Sequence, residues 1–224
     1  MIPMHCWLAL LIHLVVLIQL VPGQQPVREH IEWLDVWVTA AEKDDLPRVL
    51  LIGDSIARGY FGAVEKQLEG KAYCARLTTS KCVADPTYLD EVALMLKQYR
   101  FAVIHFNNGL HGWGYTDEQY REGLAKLMES VKSHAPDAKP IWATTTPVRQ
   151  RDNLQNLSDQ TGRVRIRNRM AAEIMEQRGV PTNDLFELVV EHADFHGGDG
   201  VHFNAAGRAA QAKAVADAVL ECLP

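Results

Sequence analysis

The sequence predicts a three-layer α/β/α fold with about five parallel strands in its central sheet. Strand-like and helix-like segments alternate along residues 48–224, and helices of about ten or more residues between strands are typical of parallel βαβ units. The first strand-like segment, RVLLIG at 48–53, is a continuous apolar run, which indicates a strand buried on both faces. The 224 residues, 47% of them hydrophobic, suffice for one domain with a full core.

The other elements follow in order from local signals. Pro86 favours a helix start, Thr116 opens a capping signal, and Asn204 is a favourable N-cap. Pro147 stops the strand that precedes it. We expect further strands at 71–78, 101–106, 140–145 and 180–183, and helices at 61–68, 86–99, 116–134, 160–178 and 205–223.

Residues 24–47 form a polar lead-in ahead of the first strand. The lead-in contains the segment IEWLDVWVTAAEK, for which we predict one helix packed on the outside of the domain. The domain itself is then expected to span residues 48–224.

The N-terminus has the pattern of a targeting segment. From Trp7 to Val21 the chain is almost wholly apolar, a run of 15 residues that is shorter than a typical membrane-spanning helix. Val21 and Gly23 suit the −3 and −1 positions of a signal-peptidase site before Gln24. We expect residues 1–23 to be a cleaved signal peptide. No Lys or Arg lies in the segment, and an uncleaved N-terminal anchor is the alternative. Cleavage would give a secreted or periplasmic protein without stable membrane association.

Charge and cysteine content narrow the classes of partner and site. Lys and Arg total 23 against 28 Asp and Glu, and this net charge of −5 gives no reason to expect a nucleic-acid partner. Cys74, Cys82 and Cys222 would remain after signal cleavage. A disulfide between Cys74 and Cys82 and buried free thiols are both compatible with the sequence.

The tripeptide Gly53-Asp54-Ser55 stands where the first strand ends and a helix is expected. A serine at such a turn projects its hydroxyl above the sheet. The N–H groups of the helix start point at any anion that develops there. A serine at this position can also be only an N-cap, so the tripeptide needs a second observation.

That second observation is Asp199 and His202, which precede the last helix in GGDGVHFNAAG. The spacing of three residues on a tight loop allows the carboxylate to reach the ring of the histidine. Such a bond fixes the tautomer of the ring and stabilises the imidazolium that forms when it takes a proton. A serine after the first strand, combined with this pair, indicates a nucleophile with its base.

In these two motifs the sequence resembles the SGNH (GDSL) hydrolase family, over about residues 48–224. The resemblance implies a flavodoxin-like α/β/α fold and an esterase that needs no cofactor. It implies that Ser55 is the nucleophile, His202 the base and Asp199 the acid that orients it. It also implies an oxyanion hole, for which the candidates are the N–H of Ser55, the N–H of Ser80, and the side-chain amide of Asn107 or Asn108. The middle motifs of the family are altered here, which indicates a divergent branch.

Other residues near these motifs are candidates for binding. Trp113 and Tyr115 follow the Asn-Asn segment and are predicted to contact substrate. Arg149 and Arg151 are either anion-binding or solvated surface residues. A metal site would use His192, His196, Asp199 and His202, but glycines interrupt the segment and no HExxH pattern occurs, so we expect no metal.

The expected reaction is ester hydrolysis by acyl transfer. O-acetyl esters of carbohydrates, as small molecules or polysaccharide, are the predicted substrates, by analogy with the family and from the expected export. A lipase or thioesterase, an O-acyltransferase with the same triad, and a non-catalytic carbohydrate-binding module are the alternatives.

Overall fold

The computed structural model describes residues 25–224, in which a central sheet carries helices on both faces. The strands are β1 (Leu34–Val38), β2 (Arg48–Gly53), β3 (Tyr73–Thr79), β4 (Val103–Phe106), β5 (Lys139–Ala143) and β6 (Thr182–Asn183). The helices are α1 (Ser55–Gln67), α2 (Tyr88–Gln98), α3 (Asp117–His134), α4 (Gln160–Gln177), α5 (Leu185–Val190) and α6 (Ala205–Cys222), with a 3₁₀ turn at Ala193–Phe195.

The strand order places the switch point of the sheet beside the end of β2. Five strands run parallel in the order β3-β2-β4-β5-β6, and β1 is antiparallel at the β3 edge. The predicted α/β/α fold with about five parallel strands is confirmed. After β3 the chain crosses back over β2 and begins β4 on its other side. In sheets of this kind ligands bind at the carboxyl ends of the two strands where the order reverses, here β2 and β4.

β2 separates the two halves of the core. Leu50 and Ile52 face one apolar cluster, which includes buried side chains of α2, α3 and α4. Val49 and Leu51 face the other cluster, which includes buried side chains of α1, α5 and α6. All four side chains are fully buried, as the continuous apolar run predicted for this strand.

The helix predicted within the lead-in 24–47 is wrong, because β1 lies there and extends the sheet. Val36 pairs with Leu77 of β3, and the register continues to Val38 opposite Ala75. Valine and tryptophan favour strands, and the free edge of β3 offers unpaired N–H and C=O groups. This long-range pairing overrides the local helical spacing. Part of the lead-in therefore belongs to the sheet rather than to a separate outer layer.

The longer helices lie where the sequence predicts them. α3 begins with the capping box, in which Thr116 and Gln119 each accept the backbone N–H of the other. Asn204 caps α6 by accepting two N–H groups of its first turn. α1 begins at Ser55, where a helix start was expected after the first strand, and it includes most of the apolar spacing at 61–68; Asp54 caps it. The sequence did not predict α5, whose six residues are too few to show a helical period.

Cys74 and Cys82 are buried free thiols, so the structure has no disulfide between them. Burial raises the pKa of Cys74 to about 12 and also raises the pKa of Cys82. Both side chains pack as small apolar residues.

The predicted signal peptide at 1–23 lies outside the described residues. From residue 25 onwards, no helix combines the length and the apolar character that crossing a bilayer requires.

His105 is a fully buried titratable group in the middle of the sheet. It lies on β4, and Asn183 of β6 donates its side-chain amide to Nε2 at 3.2 Å. Burial lowers the pKa of His105 to about 4. An unfolded histidine has a pKa of about 6.5, so the unfolded chain binds the proton first. The contribution of neutral His105 to the free energy of unfolding is therefore complete above about pH 6.5. It is lost as the pH decreases towards about 4.

We expect His105→Gln to reduce the acid sensitivity of the fold. Its amide oxygen can still accept from Asn183, but the side chain does not titrate. Between about pH 7 and about pH 5, the free energy of unfolding should decrease by roughly 2 kcal/mol less in the variant than in the wild type. Urea titrations at both pH values measure this difference. The exposed His192→Gln variant is the control and should keep the wild-type decrease. An equal decrease in His105→Gln would contradict the prediction.

Candidate active site

Each residue of Gly53-Asp54-Ser55 has a defined role in the turn from β2 into α1. A Cβ at Gly53 would lie 2.6 Å from the Cβ of Ala57, so only glycine fits there. Asp54 is the N-cap, and its Oδ1 accepts the N–H of Ile56 at 2.8 Å. The capping alternative considered for Ser55 is therefore fulfilled by Asp54. The Ser55 side chain is left free of the cap.

Ser55, His202 and Asp199 form one hydrogen-bonded chain. Ser55 Oγ lies 2.8 Å from His202 Nε2, and His202 Nδ1 lies 2.6 Å from Asp199 Oδ2. An ionised carboxylate only accepts, so the ring donates from Nδ1 and can accept the Ser55 proton at Nε2. The structure thus brings together the three residues that the sequence predicted as a triad.

The Asp199 carboxylate is held as an anion by donors from its own loop. Oδ1 accepts the N–H groups of Val201 at 3.0 Å and His202 at 2.9 Å, in addition to the ring bond at Oδ2. Burial raises the pKa of Asp199. The hydrogen bonds from the His202 ring and from these two N–H groups outweigh that effect and lower the pKa to about 2. Asp199 is therefore ionised throughout the neutral range.

Arg149 anchors the loop that carries Asp199. Gly200 has a φ of +75°, and a Cβ there would collide with the Arg149 carbonyl oxygen. The Arg149 N–H donates to Gly200 O at 2.8 Å. Its buried guanidinium donates to the carbonyl oxygens of Leu154, Gln155 and Val190. Arg149 is thus neither a solvated surface residue nor free to bind an anion, whereas Arg151 is exposed.

The structure does not support Ser80 as an oxyanion donor. The Ser80 N–H donates to Trp33 O at 3.1 Å, and Ser80 Oγ accepts the Trp33 N–H at 2.9 Å. These bonds continue the pairing of β1 with β3, so the Ser80 N–H is not free. The N–H of Ser55, at the first position of α1, has no acceptor within its own helix and remains suitable.

Asn107 and Asn108 differ in the donors that they have left. The Asn107 side-chain nitrogen donates to Ala143 O at 2.7 Å and to Thr145 Oγ1 at 3.2 Å, which uses both of its hydrogens. The Asn108 nitrogen donates to Lys81 O at 2.8 Å. The second side-chain N–H of Asn108 has the Tyr88 hydroxyl as its neighbour rather than a backbone carbonyl. Asn108 is the better oxyanion candidate of the two.

Tyr115 and Trp113, the two aromatic residues predicted to contact substrate, do not line the cavity beside Ser55 and take part in contacts within the protein. Tyr115 is 2% exposed, and its hydroxyl accepts the Val27 N–H at 2.8 Å. The Trp113 ring is covered by the guanidinium groups of Arg163 and Arg167, centred 5.8 and 4.8 Å from it. Both aromatic rings serve to fix the loop after β4.

Arg167 holds the loop after β4 in place. It is fully buried on α4 and donates to the carbonyl oxygens of Gly109, His111 and Gly112, at 2.7 to 2.9 Å. Burial lowers the pKa of Arg167. Its charge is compensated by carbonyl dipoles and by the faces of Trp113 and Tyr120. Basic residues that look like a solvated helix face in the sequence are thus part of the loop scaffold.

His192 and His196 are not brought together with the triad as a metal site. The ring of His192 stacks on Phe195 at 4.3 Å, and that of buried His196 packs on Phe203 at 4.4 Å. Within residues 25–224, no group of three or more His, Cys, Asp or Glu side chains could hold a metal ion.

A cavity of about 380 Å³ opens beside Ser55 and His202. The residues that line it come from the start of α1, from the loop before α6 and from the first turns of α6: Ser55, Ile56, Arg58, Gly59, His202, Phe203, Arg208 and Gln211. Arg58, Arg208 and Gln211 were not among the site residues predicted from the sequence. Helical spacing offered a signal for them, because residues three apart share a helix face. Arg58 is three residues after Ser55, and Gln211 is three residues after Arg208.

Comparisons with known proteins agree with this geometry. The chain matches the GDSL-like lipase/acylhydrolase family over residues 51–210. A search of curated proteins found no significant match. Among solved structures, an aryl esterase of M. smegmatis has a TM-score of 0.66 at 17% identity, covering 79% of this chain and 100% of its own. At this level of identity, such a likeness shows the fold.

Two further structures that resemble this chain are named as carbohydrate esterases. A carbohydrate acetylesterase from Sinorhizobium meliloti has a TM-score of 0.64 at 14% identity, covering 78% of this chain and 99% of its own. A carbohydrate esterase of family 3 from Talaromyces cellulolyticus has a TM-score of 0.62 at 14% identity, covering 79% and 97%. The family match spans Ser55, Asp199 and His202. The chain belongs to the GDSL-like lipase/acylhydrolase family and is a serine ester hydrolase.

Proposed function

We propose that this hydrolase removes O-acetyl groups from carbohydrates, with Ser55 as nucleophile, His202 as general base and Asp199 as the residue that orients it. The hydrogen-bonded chain from Ser55 Oγ through the His202 ring to Asp199, at 2.8 and 2.6 Å, is the observation that carries the assignment. A serine hydroxyl is a weak nucleophile until such a base lies within hydrogen-bond reach.

In the first half of the reaction, Ser55 Oγ attacks the acyl carbon while its proton passes to His202 Nε2. The Ser55 N–H, at the positive end of the α1 dipole, stabilises the oxyanion, together with the second amide hydrogen of Asn108. His202 then gives its proton to the alcohol oxygen as the C–O bond breaks. In the second half, water replaces the alcohol, and the same steps release acetate and regenerate Ser55.

The cavity beside the triad favours a small, polar substrate over a lipid. The alcohol part of a lipid ester needs an extended apolar groove, whereas two arginines and a glutamine contribute to the wall here, which suits the hydroxyl groups of a sugar. The structural neighbours named as a carbohydrate acetylesterase and as a carbohydrate esterase support the same substrate class. Lipase or thioesterase activity is the less favoured alternative on this observation.

Two other activities remain distinct from hydrolysis and have their own tests. An O-acyltransferase would pass the acetyl group from Ser55 to a sugar hydroxyl instead of water, so adding a sugar acceptor would yield acetylated sugar. A non-catalytic carbohydrate-binding module would not react with a fluorophosphonate probe. We expect labelling of the wild type at Ser55, because the base lies within reach of the hydroxyl.

The substrate proposal predicts a steep dependence on acyl length. We expect kcat/KM for 4-nitrophenyl acetate to exceed that for the octanoate by about tenfold or more, and acetylated xylan to release acetate.

Ser55→Ala should abolish all turnover with little change in Tm, because Asp54 provides the cap. Asp54→Ala is the matched structural control and should cost about 1 kcal/mol of stability. Faster hydrolysis of the octanoate would contradict the acetyl preference, and turnover by Ser55→Ala would contradict the nucleophile.

Asp199→Asn should reduce kcat by roughly 10²- to 10⁴-fold. The asparagine amide can donate to Nδ1, which leaves the ring proton on Nε2 facing Ser55. Because the pKa of Asp199 is about 2, the wild-type carboxylate stays ionised above about pH 4, and the loss should persist at every higher pH. Steady-state kinetics across pH measures it. Asp194→Asn, an exposed carboxylate near His192, is the control and should stay within about threefold of wild type. Similar kinetics for both variants would remove Asp199 from the mechanism.

We also propose that the protein is exported and that residues 1–23 are removed. The apolar run from Trp7 to Val21 and the small residue Gly23 support this. N-terminal sequencing of the protein from its native host should give a chain that begins near Gln24. Recovery of intact Met1 in a soluble form would contradict cleavage, and recovery of intact Met1 in the membrane fraction would indicate an anchor instead.

A further inference from the structure

The cavity beside the triad has a cationic wall. Arg58 lies on α1 and Arg208 on α6, and both contribute to a space of about 380 Å³ that also contacts Ser55 and His202. Of the described residues that line this cavity, none is acidic. A ligand with a negative charge is therefore the kind that the cavity would attract.

Gln211 gives a second and independent indication of a ligand. Its side chain is fully buried on α6 and lines the cavity, yet neither its amide nitrogen nor its amide oxygen has a hydrogen-bond partner among the described residues. Buried amides are nearly always hydrogen-bonded, because leaving one unpaired is unfavourable. An apolar residue would fit the interior of α6 at no such cost. We read the unpaired amide as a binding group.

Both arginines retain N–H groups for a ligand. Within residues 25–224, the Arg208 guanidinium makes no hydrogen bond or ion pair, and its Cδ lies against Gly59 of α1. The Arg58 guanidinium stacks 4.6 Å above the Trp33 ring, which leaves its N–H edge open. Asp35 is 3.9 Å from Arg58, but its two oxygens accept from Arg76 at 3.1 and 3.2 Å. Arg58 is thus only weakly neutralised.

The position of His202 decides which part of the ester enters the cavity. His202 Nε2 must reach the oxygen of the leaving alcohol to protonate it. Since His202 and the adjacent Phe203 line the cavity, the alcohol part of the substrate faces Arg208 and Gln211.

We propose that this cavity binds an anionic oxygen group, a carboxylate or a sulfate, carried by the alcohol part of the ester. The inference rests on the proposed function and adds a substrate class to it, namely acetylated acidic sugars. The two guanidinium groups bind the anion through paired N–H donors. The Gln211 amide adds a bond to the same group by turning towards the cavity, since both of its polar atoms are buried in the structure.

The test compares matched acetate esters. We expect kcat/KM for 4-acetoxybenzoate to exceed that for neutral 4-acetoxybenzamide by about tenfold, with 4-acetoxybenzenesulfonate as the sulfonate arm. The ratio of acidic to neutral kcat/KM should fall about tenfold in Arg208→Gln, Arg58→Gln and Gln211→Leu, and less in Arg208→Lys. About 0.5 M NaCl should also reduce it. Arg169→Gln, the same change at an exposed position of α4, should leave the ratio unchanged.

Several results would overturn the inference. The first is a ratio of acidic to neutral kcat/KM near one in the wild type, and the second is a ratio that Arg208→Gln and Arg58→Gln do not change. The third is a larger preference for an anion on the acyl side of the ester, measured with phenyl succinate against phenyl butyrate. Binding provides a readout that needs no turnover: D-galacturonate, but not D-galactose, should raise the Tm of Ser55→Ala, and Arg208→Gln in that background should remove the shift. Failure to hydrolyse even 4-acetoxybenzamide would count against the proposed function, while the Tm shift would still decide for or against the cavity.

Discussion

The hydrogen bond between Ser55 Oγ and His202 Nε2 joins residues that are 147 positions apart in the chain. It depends on the packing of α1 against α6 on one face of the sheet, where both helices bury residues in the same apolar cluster. Ser55 begins α1, and His202 lies two residues before Asn204, the cap of α6, so the two helix starts meet above the end of β2. A small shift between these helices would break the bond. The sheet therefore positions Ser55 and His202 through the two helices that pack on it.

Arginines perform two different tasks around this site. Arg149 and Arg167 are buried and donate to backbone carbonyl oxygens, so they hold the Asp199 loop and the loop after β4 in place. Each compensates its charge with dipoles inside the protein, which is favourable only because the donors are well paired. Arg58 and Arg208 lack such carbonyl partners in the described part of the chain and face the cavity instead. This contrast is the reason for proposing the second pair as a binding surface rather than as scaffold.

The segment before β2 changes the site at one point. Because β1 pairs with β3, Trp33, the residue before β1, lies opposite Ser80. The carbonyl oxygen of Trp33 accepts the Ser80 N–H, which the family resemblance had suggested as an oxyanion donor. The proposed oxyanion hole is then left with the Ser55 N–H and the Asn108 side chain. The same segment places the Trp33 ring under Arg58, so it also supports the proposed anion site. The lead-in therefore contacts Ser80 and Arg58 without lining the cavity itself.

The α/β/α fold could be predicted from the sequence alone, because periodicity, caps and continuous apolar runs are local signals, as in RVLLIG at 48–53 and the box of Thr116. The sequence also predicted that Ser55, His202 and Asp199 lie together, because Ser55 follows a strand and Asp199 lies close enough to His202 to bond within one loop. The other features depend on contacts between distant segments. β1 is a strand because the distant edge of β3 pairs with it. Tyr115 and Arg149 are buried, and Gln211 lines the cavity, because helix packing brings remote segments over them. No local pattern encodes which polar groups remain unpaired once such segments meet.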